Sequence, residues 1–397
     1  MKPQEAMHPP NNKHPFLPDD FTVTKWEAIK PYYDQLLARA LSSLADLKQW
    51  FLDRNELEVA IAEDAGWRYI NMTRDTANDT YLKRYEYYVT EILPKATLLA
   101  HELNKKVVGC PHTQALRQEV GFDILLRCID NSIAIYRPEN IPLQTKTQLK
   151  GREYGQLVGA MTVTVDGQEL TLQQAGVHLE SPDRNLRETV YTQINDRRLQ
   201  DKDTLNSVYT ELIQDRHQMA LNAGFDNFRD YAFVAMNRFD YTPSDCFAFH
   251  EAVAQEVVPL LDTLAQERQC MLGISSLKPW DMQVDPTGKP PLKPFDNAEE
   301  LLQKAIIVFD RLDPFFGDCL KKMEQMGHFD LESRKRKAPG GYNYPLDKTG
   351  VPFIFMNATS TLRDMGTMLH EGGHAVHAFL TQDLLLHAFK QVPSELA

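Results

Sequence analysis

The sequence has few cysteines and no excess of basic residues. Its 397 residues include five cysteines, all far apart from one another along the chain. This scatter argues against a Cys-rich metal site and favours a reducing compartment, so we expect a cytoplasmic protein. The 43 lysines and arginines are outnumbered by 55 aspartates and glutamates, which gives a net charge of −12. Because no basic tract is long enough to form a nucleic-acid surface, we expect no nucleic-acid partner.

Long apolar runs, low-complexity segments and Gly/Ser-rich spacers are also lacking. No stretch is apolar and long enough to span a bilayer, so we expect no membrane partner. Residues 1–20 are rich in Pro, Asn and His but lack the apolar centre of a signal peptide, and we expect them to form a flexible tail. The chain length favours two domains over one. We place an N-terminal helical domain at residues 21–195 and a catalytic domain at residues 196–397. The boundary marks a change of function and not a flexible linker.

Apolar residues recur at helical spacing along most of the chain. Between residues 26 and 53 they alternate at spacings of four and three, which predicts one long amphipathic helix. Residues 157–172 differ, because apolar and polar side chains alternate there around Asp166-Gly167, the strongest short signal for a hairpin. The sequence therefore predicts a mainly α fold in which the N-terminal helical domain contains a small β hairpin.

The most specific pattern is His-Glu-x-x-His at residues 370–374. Residues four apart in a helix stand one turn apart on the same face, so His370 and His374 can reach one metal ion. Glu371 lies next to that face, where its carboxylate can reach a water on the metal without ligating the metal, as the general base of a zinc hydrolase does. The motif predicts one Zn²⁺ per chain; a pair of core histidines with satisfied hydrogen bonds is the alternative.

The residues around the motif predict a helix independently of it. Thr359, Ser360 or Thr361 can cap its start, and Asp364 is favourable in the first turn. The two glycines of the motif weaken such a helix by roughly 1 kcal/mol each relative to alanine. We interpret these glycines, residues 372 and 373, as places where another backbone or a substrate comes close.

Two short segments precede the motif helix. Residues 334–342, Arg-Lys-Arg-Lys-Ala-Pro-Gly-Gly-Tyr, are basic and then glycine-rich. Four successive charges predict a solvated turn, and Gly-Gly predicts a bend. The apolar residues 353–357 predict a short strand, either in the core or at an edge against which an extended peptide could lie.

In their order along the chain, Trp280-Asp281, residues 337–342, residues 353–357 and residues 370–377 resemble the thimet oligopeptidase and oligoendopeptidase F family of zinc metallopeptidases. The resemblance implies a helical, two-lobed zincin-type peptidase with a small hairpin, a short edge strand by the active site, and a zinc ion at the floor of a deep channel. It also implies cleavage inside short peptides, since folded proteins cannot enter such a channel.

The same resemblance assigns roles to single residues. His370 and His374 match the zinc ligands, and Glu371 matches the residue that activates water and passes its proton to the leaving amine. The positions that match those lining the channel, and that would bind substrate, are Gly340, Gly341 and Tyr342.

The family's third zinc ligand, a Glu in a Glu-x-x-Ser element, has no match in this sequence. That element would begin immediately after Ala397, so we expect the chain to lack the family's C-terminal helical part. Glu395 is the only acidic residue beyond Asp383 and is a candidate substitute ligand, the alternative being an ordinary solvent-facing glutamate. His377 also falls on the ligand face, but at roughly 10 Å from His370 along the helix it is expected to lie outside the ligand set.

We therefore expect a zinc-dependent metalloendopeptidase, an oligopeptidase that hydrolyses internal bonds of short peptides. A zinc carboxypeptidase of helical fold is one alternative, because it shares His-Glu-x-x-His and trims peptides from the C-terminus. A catalytically incomplete peptide-binding fragment is the other, and the missing third ligand favours it.

Overall fold

The computed structural model describes residues 16–393 and residue 395. Helices make up most of this part of the chain, and none of the described helices is both long enough and apolar enough to cross a membrane. In chain order the elements are α1 (Trp26–Ala38), α2 (Leu44–Arg74), α3 (Asp79–Tyr87), α4 (Leu93–Val108), α5 (Thr113–Leu116), α6 (Phe122–Ile135), α7 (Asn140–Gly159), β1 (Thr162–Val165), β2 (Gln168–Thr171), α8 (Leu172–Gly176), α9 (Arg184–Gln200), α10 (Lys202–Asn222), α11 (Phe228–Ala235), α12 (Pro243–Ala252), α13 (Val258–Leu272), α14 (Ala298–Leu312), α15 (Pro314–Gln325), β3 (Phe329–Glu332), β4 (Tyr342–Tyr344), β5 (Phe353–Ala358) and α16 (Leu362–Leu380).

The predicted mainly α fold is confirmed, but the prediction of one long helix over residues 26–53 is wrong. Residues 26–53 contain two helices, because the backbone is extended at Arg39, with ψ 130°. Ser43 then starts α2, and its side chain accepts a hydrogen bond from the amide of Asp46 (3.1 Å). Ser is a preferred residue at this position because it satisfies an amide that the helix leaves unpaired.

The predicted hairpin is confirmed. Strands β1 and β2 are antiparallel, and Val165 lies opposite Gln168. The two turn residues, Asp166 (φ 50°) and Gly167 (φ 80°), are both left-handed, which is what a two-residue turn matching the strand twist requires. The hairpin begins later than predicted because α7 continues as a helix to Gly159.

The N-terminal helices share one apolar core, formed mainly by α1, α2, α4 and α6. Leu17 belongs to this core, and the amides of Phe16 and Leu17 donate to the carboxylate of Glu56 at 3.0 and 2.9 Å. The predicted flexible tail therefore does not extend to residue 20, because the buried Leu17 side chain and the half-buried Glu56 carboxylate anchor its last part. Residues 1–15 lie outside the described residues.

The sheet before the motif helix has the strand order β3-β5-β4. Strand β5 pairs in parallel with β3, where Phe329 lies opposite Ile354, and antiparallel with β4, where Tyr342 lies opposite Phe355. The edge interpretation of residues 353–357 is therefore wrong, since both sides of this strand are already paired. The edge strand that lies by the motif helix is β4.

Helices cover both faces of this sheet. Alternate residues of a strand point to opposite faces. On one face Phe353 and Phe355 pack against Ile70 of α2, and on the other Ile354 and Met356 join the core of α14, α15 and α16. The sheet thus fixes the motif helix relative to the N-terminal helices.

The predicted domain boundary near residue 195 falls inside α9. Val190 and Ile194 of this helix pack against the hairpin, in a core of their own. The division into residues 21–195 and 196–397 remains a prediction.

Candidate active site

The helix that carries His-Glu-x-x-His, α16, begins with a capping box. Thr361 Oγ1 accepts a hydrogen bond from the Asp364 amide (3.2 Å), and the Asp364 carboxylate accepts one from the Thr361 amide (2.9 Å). The same carboxylate accepts from the amide of Thr359 at 2.8 Å. Thr361 is therefore the cap, and Asp364 also ties the preceding loop to the helix. These bonds satisfy amides that a helix start leaves unpaired, which fixes the position of the first turn.

The side chains of His370 and His374 converge as the spacing predicts. Their Nε2 atoms are 3.1 Å apart, and the ring centroids are 4.6 Å apart with the planes at 84°. Two nitrogens each about 2.0–2.1 Å from one tetrahedral zinc ion lie about 3.3 Å apart, so this separation fits zinc ligation. Both rings are accessible to a ligand, since His370 is exposed and His374 is half-buried.

Glu371 is buried, unlike the neighbouring His370. Its side chain is only 8% exposed. A helix turns by about 100° per residue, so the residue after a ligand lies beside the ligand face rather than on it. Glu371 is therefore shielded from bulk water and lies beside the ligand face of α16, a place from which a general base can act.

The two glycines of the motif have different surroundings. A Cβ atom on Gly372 would lie 2.7 Å from Cε2 of Phe309 in α14, so glycine allows this aromatic ring to pack directly on the helix backbone. What comes close to Gly372 is therefore an aromatic side chain, and not the backbone or substrate that the sequence predicts. Around Gly373 a Cβ would meet nothing within 4 Å. The surface of α16 next to His374 is therefore open.

The loop predicted to bind substrate reaches the open side of α16 only in part. Gly340 and Gly341 are exposed, and a Cβ on Gly341 would lie 3.8 Å from the methyl group of Thr367, one turn before His370. Tyr342 points away from the histidine helix: its ring stacks on the buried ring of Phe355, and its hydroxyl forms a 2.7 Å hydrogen bond with the hydroxyl of Thr73 in α2. Burial raises the pKa of Tyr342 well above its usual value. The structure therefore places Gly341 beside the motif helix at Thr367 and directs the tyrosine hydroxyl to the N-terminal helices.

A third metal ligand is absent from the part of the chain that the structure describes. Within it, no group of three His, Cys, Asp or Glu side chains could hold a metal ion. Glu395 is occupied elsewhere: its carboxylate accepts hydrogen bonds from Tyr241 Oη and Arg238 Nε, both at 2.5 Å. The hydrogen bond from Tyr241 and the Arg238 guanidinium lower the pKa of Glu395 to about 2. Glu395 is therefore not a substitute ligand in this structure.

A cavity of about 270 Å³ lies beside the ligand helix. It is lined by His374 and His377 of α16, by Asn343 of β4, and by Gln391 and Val392. The side-chain nitrogen of Asn343 is buried without a hydrogen-bond partner among the described residues. Sequence reasoning overlooked Asn343, although alternation along Tyr-Asn-Tyr predicts that the asparagine points away from the two tyrosines.

The predicted solvated turn is confirmed for Arg334, Lys335 and Arg336, which are exposed, but not for Lys337. Lys337 is 2% exposed, and its Nζ donates to Asp330 Oδ1 (2.7 Å) and to the backbone carbonyl of Glu332 (2.9 Å). Asp330 also accepts from Arg74 Nε (2.7 Å) and Arg334 Nη1 (2.6 Å). Burial alone would raise the pKa of Asp330, but the hydrogen bonds from Arg334 and the Lys337 charge outweigh burial and hold it well below its usual value. This cluster joins α2 to the strands that lead to the active site.

The Trp280-Asp281 pair is held against α9 by hydrogen bonds to Asp281. Asp281 is fully buried, and its carboxylate accepts from Arg184 Nε (3.0 Å) and Arg187 Nη2 (2.9 Å) of α9. Burial would raise the pKa of this carboxyl, but the two guanidinium groups outweigh it and lower the pKa to about 2. The pair therefore holds its turn against α9.

Two family models match this chain. The family model described as "Peptidase family M3" matches residues 177–397, and the one described as "Peptidase M3 N-terminal domain" matches residues 16–135. An oligoendopeptidase F homolog of Lactococcus lactis subsp. lactis (strain IL1403) is 26% identical over 223 residues, which cover 55% of this chain and 35% of that protein. The chain thus aligns with about a third of the length of this curated relative.

Two solved structures share the fold. One is described as PZ peptidase A with inhibitor 2; it superposes with a TM-score of 0.89 at 24% identity, over 95% of this chain and 67% of that chain. The other, a putative oligoendopeptidase F, gives a TM-score of 0.87 at 25% identity, over 94% of this chain and 66% of that chain. The fold described above therefore corresponds to about two thirds of each solved chain.

Proposed function

The chain belongs to peptidase family M3, and from this membership we propose that it is a zinc-dependent oligopeptidase that hydrolyses internal bonds of short peptides. The observation that carries the proposal is the convergence of His370 and His374, whose Nε2 atoms are 3.1 Å apart on one face of a capped helix. The proposal includes a cytoplasmic location, which the five free cysteine thiols support.

The two histidines and Glu371 have distinct roles in this proposal. His370 and His374 would hold the metal through their ring nitrogens. When bound, zinc supplies Lewis acidity and lowers the pKa of water. The Glu371 carboxylate takes the proton of the attacking water and passes it to the leaving nitrogen. Because this carboxylate is buried, bulk water competes little for its proton.

The edge strand β4 and the Gly340-Gly341 loop are the proposed substrate surface. An exposed strand edge can pair with an extended peptide through backbone hydrogen bonds. Strand β4 is at the sheet edge, and Gly341 is beside the turn of α16 that precedes His370. A peptide aligned on this edge would pass close to both histidines. The inner strand β5 cannot serve, since its neighbours already use both of its edges.

One observation favours a second candidate, a peptide-binding chain without catalysis. No group of three His, Cys, Asp or Glu side chains among the described residues could hold a metal ion, and a catalytic zinc normally has three protein ligands. Such a chain would bind short peptides on β4 and leave them intact.

Product analysis separates these functions. Short peptides are incubated with the protein in buffer that contains excess Zn²⁺, and the fragments are identified by mass spectrometry. Internal cleavage that stops in a chelator and returns with zinc is the expected result. Removal of single C-terminal residues would instead indicate a carboxypeptidase, and intact peptides that bind would indicate the second candidate. Cleavage that survives complete removal of metal would contradict the proposal.

A further inference from the structure

The basic segment after β3 carries more positive charge than the carboxylate it contacts can neutralise. Asp330 is the one carboxylate that Arg74, Arg334 and Lys337 all contact, with nitrogen–oxygen distances of 2.7, 2.6 and 2.7 Å. Asp330 and Lys337 are both buried, so this charge cluster is part of the framework of the fold. Three positive charges on one carboxylate leave an excess of two, in a chain whose net charge is −12.

A cavity of about 420 Å³ adjoins this cluster, at the junction of α2, α3 and the basic segment. Lys335 pairs with Glu169 at 2.6 Å, whereas the exposed Arg336 forms no ion pair with any residue that the structure describes. The cavity therefore offers cations to a ligand and little competing negative charge. Its charged lining residues are Arg74, Arg334, Lys335, Arg336 and a single carboxylate, Asp75.

The backbone of Arg336 is fixed in a conformation that arginine rarely adopts. Its φ is 68°, in the left-handed region that is costly for residues other than glycine. The Arg336 amide donates to the carbonyl of Gly159 (2.9 Å), and the Arg336 carbonyl accepts from the amide and the hydroxyl of Thr76 at 2.7 and 2.8 Å. The segment is thus held in place before any ligand arrives, which lowers the entropic cost of binding.

A second cavity, of about 590 Å³, shares Tyr81 with the first. Its walls include the aromatic rings of Trp67, Tyr81 and Tyr87. The carboxylate that lines it, Asp64, is paired with Arg68 at 2.6 Å and is therefore already neutralised. Aromatic walls favour the ring of a ligand, which can stack on them or meet their edges. The two cavities together offer a cationic end and an aromatic end.

We propose that the cavity at Arg336 binds the phosphate group of a small phosphate monoester, and that an aromatic part of the same molecule lies against Tyr81 in the second cavity. A phosphate monoester carries a charge of about −1.5 to −2 at neutral pH and three acceptor oxygens, so it matches the excess of two positive charges better than one carboxylate does. Arginine suits this ligand, because its planar guanidinium donates two parallel hydrogen bonds to phosphate oxygens. The site is separate from the proposed peptidase function and needs neither zinc nor peptide.

Calorimetry with three probes tests whether the phosphate and the ring are both recognised. The 397-residue chain is titrated at about 0.15 M salt with adenosine 5′-monophosphate, adenosine and inorganic phosphate. A chelator is present, so that no probe binds through a metal. We expect adenosine 5′-monophosphate to bind more tightly than inorganic phosphate and at least about tenfold more tightly than adenosine, because charge-assisted hydrogen bonds are stronger than neutral ones.

Arg336→Gln tests the residue that the proposal depends on. It keeps most of the side-chain length and removes the charge, so adenosine 5′-monophosphate should bind about tenfold more weakly or worse. The matched control is Arg198→Gln in α9, at an exposed arginine that likewise has no carboxylate partner among the described residues. This control should bind the probe as the unchanged chain does.

Arg336→Gly separates binding from a structural role. Glycine adopts the left-handed conformation without strain, so this variant should lose binding as Arg336→Gln does without a lower midpoint of thermal unfolding. A lower midpoint in both variants would show that Arg336 supports the fold and would overturn the proposal.

The binding data can overturn it in three other ways. These are no binding of adenosine 5′-monophosphate, equal binding to Arg336→Gln and to the unchanged chain, and equal binding of adenosine and its monophosphate. Tighter binding of the peptide Glu-Glu-Tyr-Glu-Glu than of any phosphate probe would also contradict it, because the two cavities would then recognise acidic peptides.

Discussion

Phe309 and Gly372 are in direct contact: a Cβ atom on Gly372 would lie 2.7 Å from Cε2 of the Phe309 ring. In Gly372→Ala, overpacking costs about 1–3 kcal/mol, and the better helix propensity of alanine returns about 1 kcal/mol. We expect a net loss of about 1 kcal/mol in the free energy of unfolding, measured by urea denaturation.

The neighbouring glycine is the matched control for this prediction. A Cβ at Gly373 would meet open space, so Gly373→Ala should stabilise the protein by about 0.5–1 kcal/mol. Replacing Phe309 by leucine should relieve the Gly372→Ala variant. Equal effects of the two alanine substitutions would show that the Phe309 contact does not decide the stability.

Glu371→Gln should remove catalysis and leave the metal site intact. Gln has almost the same shape but cannot take a proton from water. In buffer with the same excess of Zn²⁺, turnover of short peptides should therefore fall by about 10²–10⁴-fold while the zinc bound per chain equals that of the unchanged protein. Fluorescence of internally quenched peptides measures the rate, and atomic absorption measures the zinc.

The control for the loss of a carboxylate is Glu299→Gln, at an exposed residue in the first turn of α14. It should leave turnover unchanged. Unchanged turnover in Glu371→Gln would remove Glu371 from the mechanism.

The 397-residue chain alone should retain zinc poorly. A catalytic zinc normally takes three protein ligands, and the described residues offer two, His370 and His374. After dialysis against metal-free buffer we expect zinc well below one per chain, and less still in His374→Ala. Glu395→Ala should not change the zinc content, because Arg238 and Tyr241 bind this carboxylate. Near-stoichiometric zinc that is lost in Glu395→Ala would instead make Glu395 the third ligand.

Because Asp330 and Lys337 form a buried ion pair, we expect substitutions at these two residues to have non-additive effects on the free energy of unfolding. Asp330→Asn leaves the Lys337 ammonium buried without its carboxylate, and removal of one partner of such a pair costs about 3–5 kcal/mol. Lys337→Met should cost less, because Arg74 and Arg334 still neutralise Asp330. The double variant should be more stable than the sum of the single losses predicts. Additive losses would show that the pair is not coupled.

The same carboxylate predicts how stability depends on pH. The pKa of Asp330 is lower in the folded protein than in the unfolded chain, so below about pH 4 the unfolded chain binds a proton that the folded protein does not. Its contribution to stability is therefore complete above the unfolded pKa and is lost as the pH falls towards the folded pKa. Between pH 5 and pH 3 the free energy of unfolding should fall less steeply in Asp330→Asn. An unchanged acid dependence would contradict this assignment.

Local signals in the sequence were sufficient for the features that depend on near neighbours. The hairpin at Asp166-Gly167 follows from two residues that adopt left-handed backbone. The convergence of His370 and His374 follows from helical spacing. For the cap of α16 the sequence leaves three candidates, residues 359, 360 and 361. The structure shows that Thr361 is the cap, because Thr361 and Asp364 form the two reciprocal hydrogen bonds of a capping box.

The sequence by itself thus determined the helix content, the hairpin, and the helix that presents the two histidines and Glu371. These features depend on backbone preference and periodicity within a few residues. Tertiary structure alone decided that Lys337 is buried, that residues 353–357 form a central strand, and that Phe309 rests on Gly372. The physical reason is that burial and strand pairing depend on which distant segment of the chain packs against a residue. The local sequence around a charged or apolar residue is the same whether that residue is covered by protein or by water.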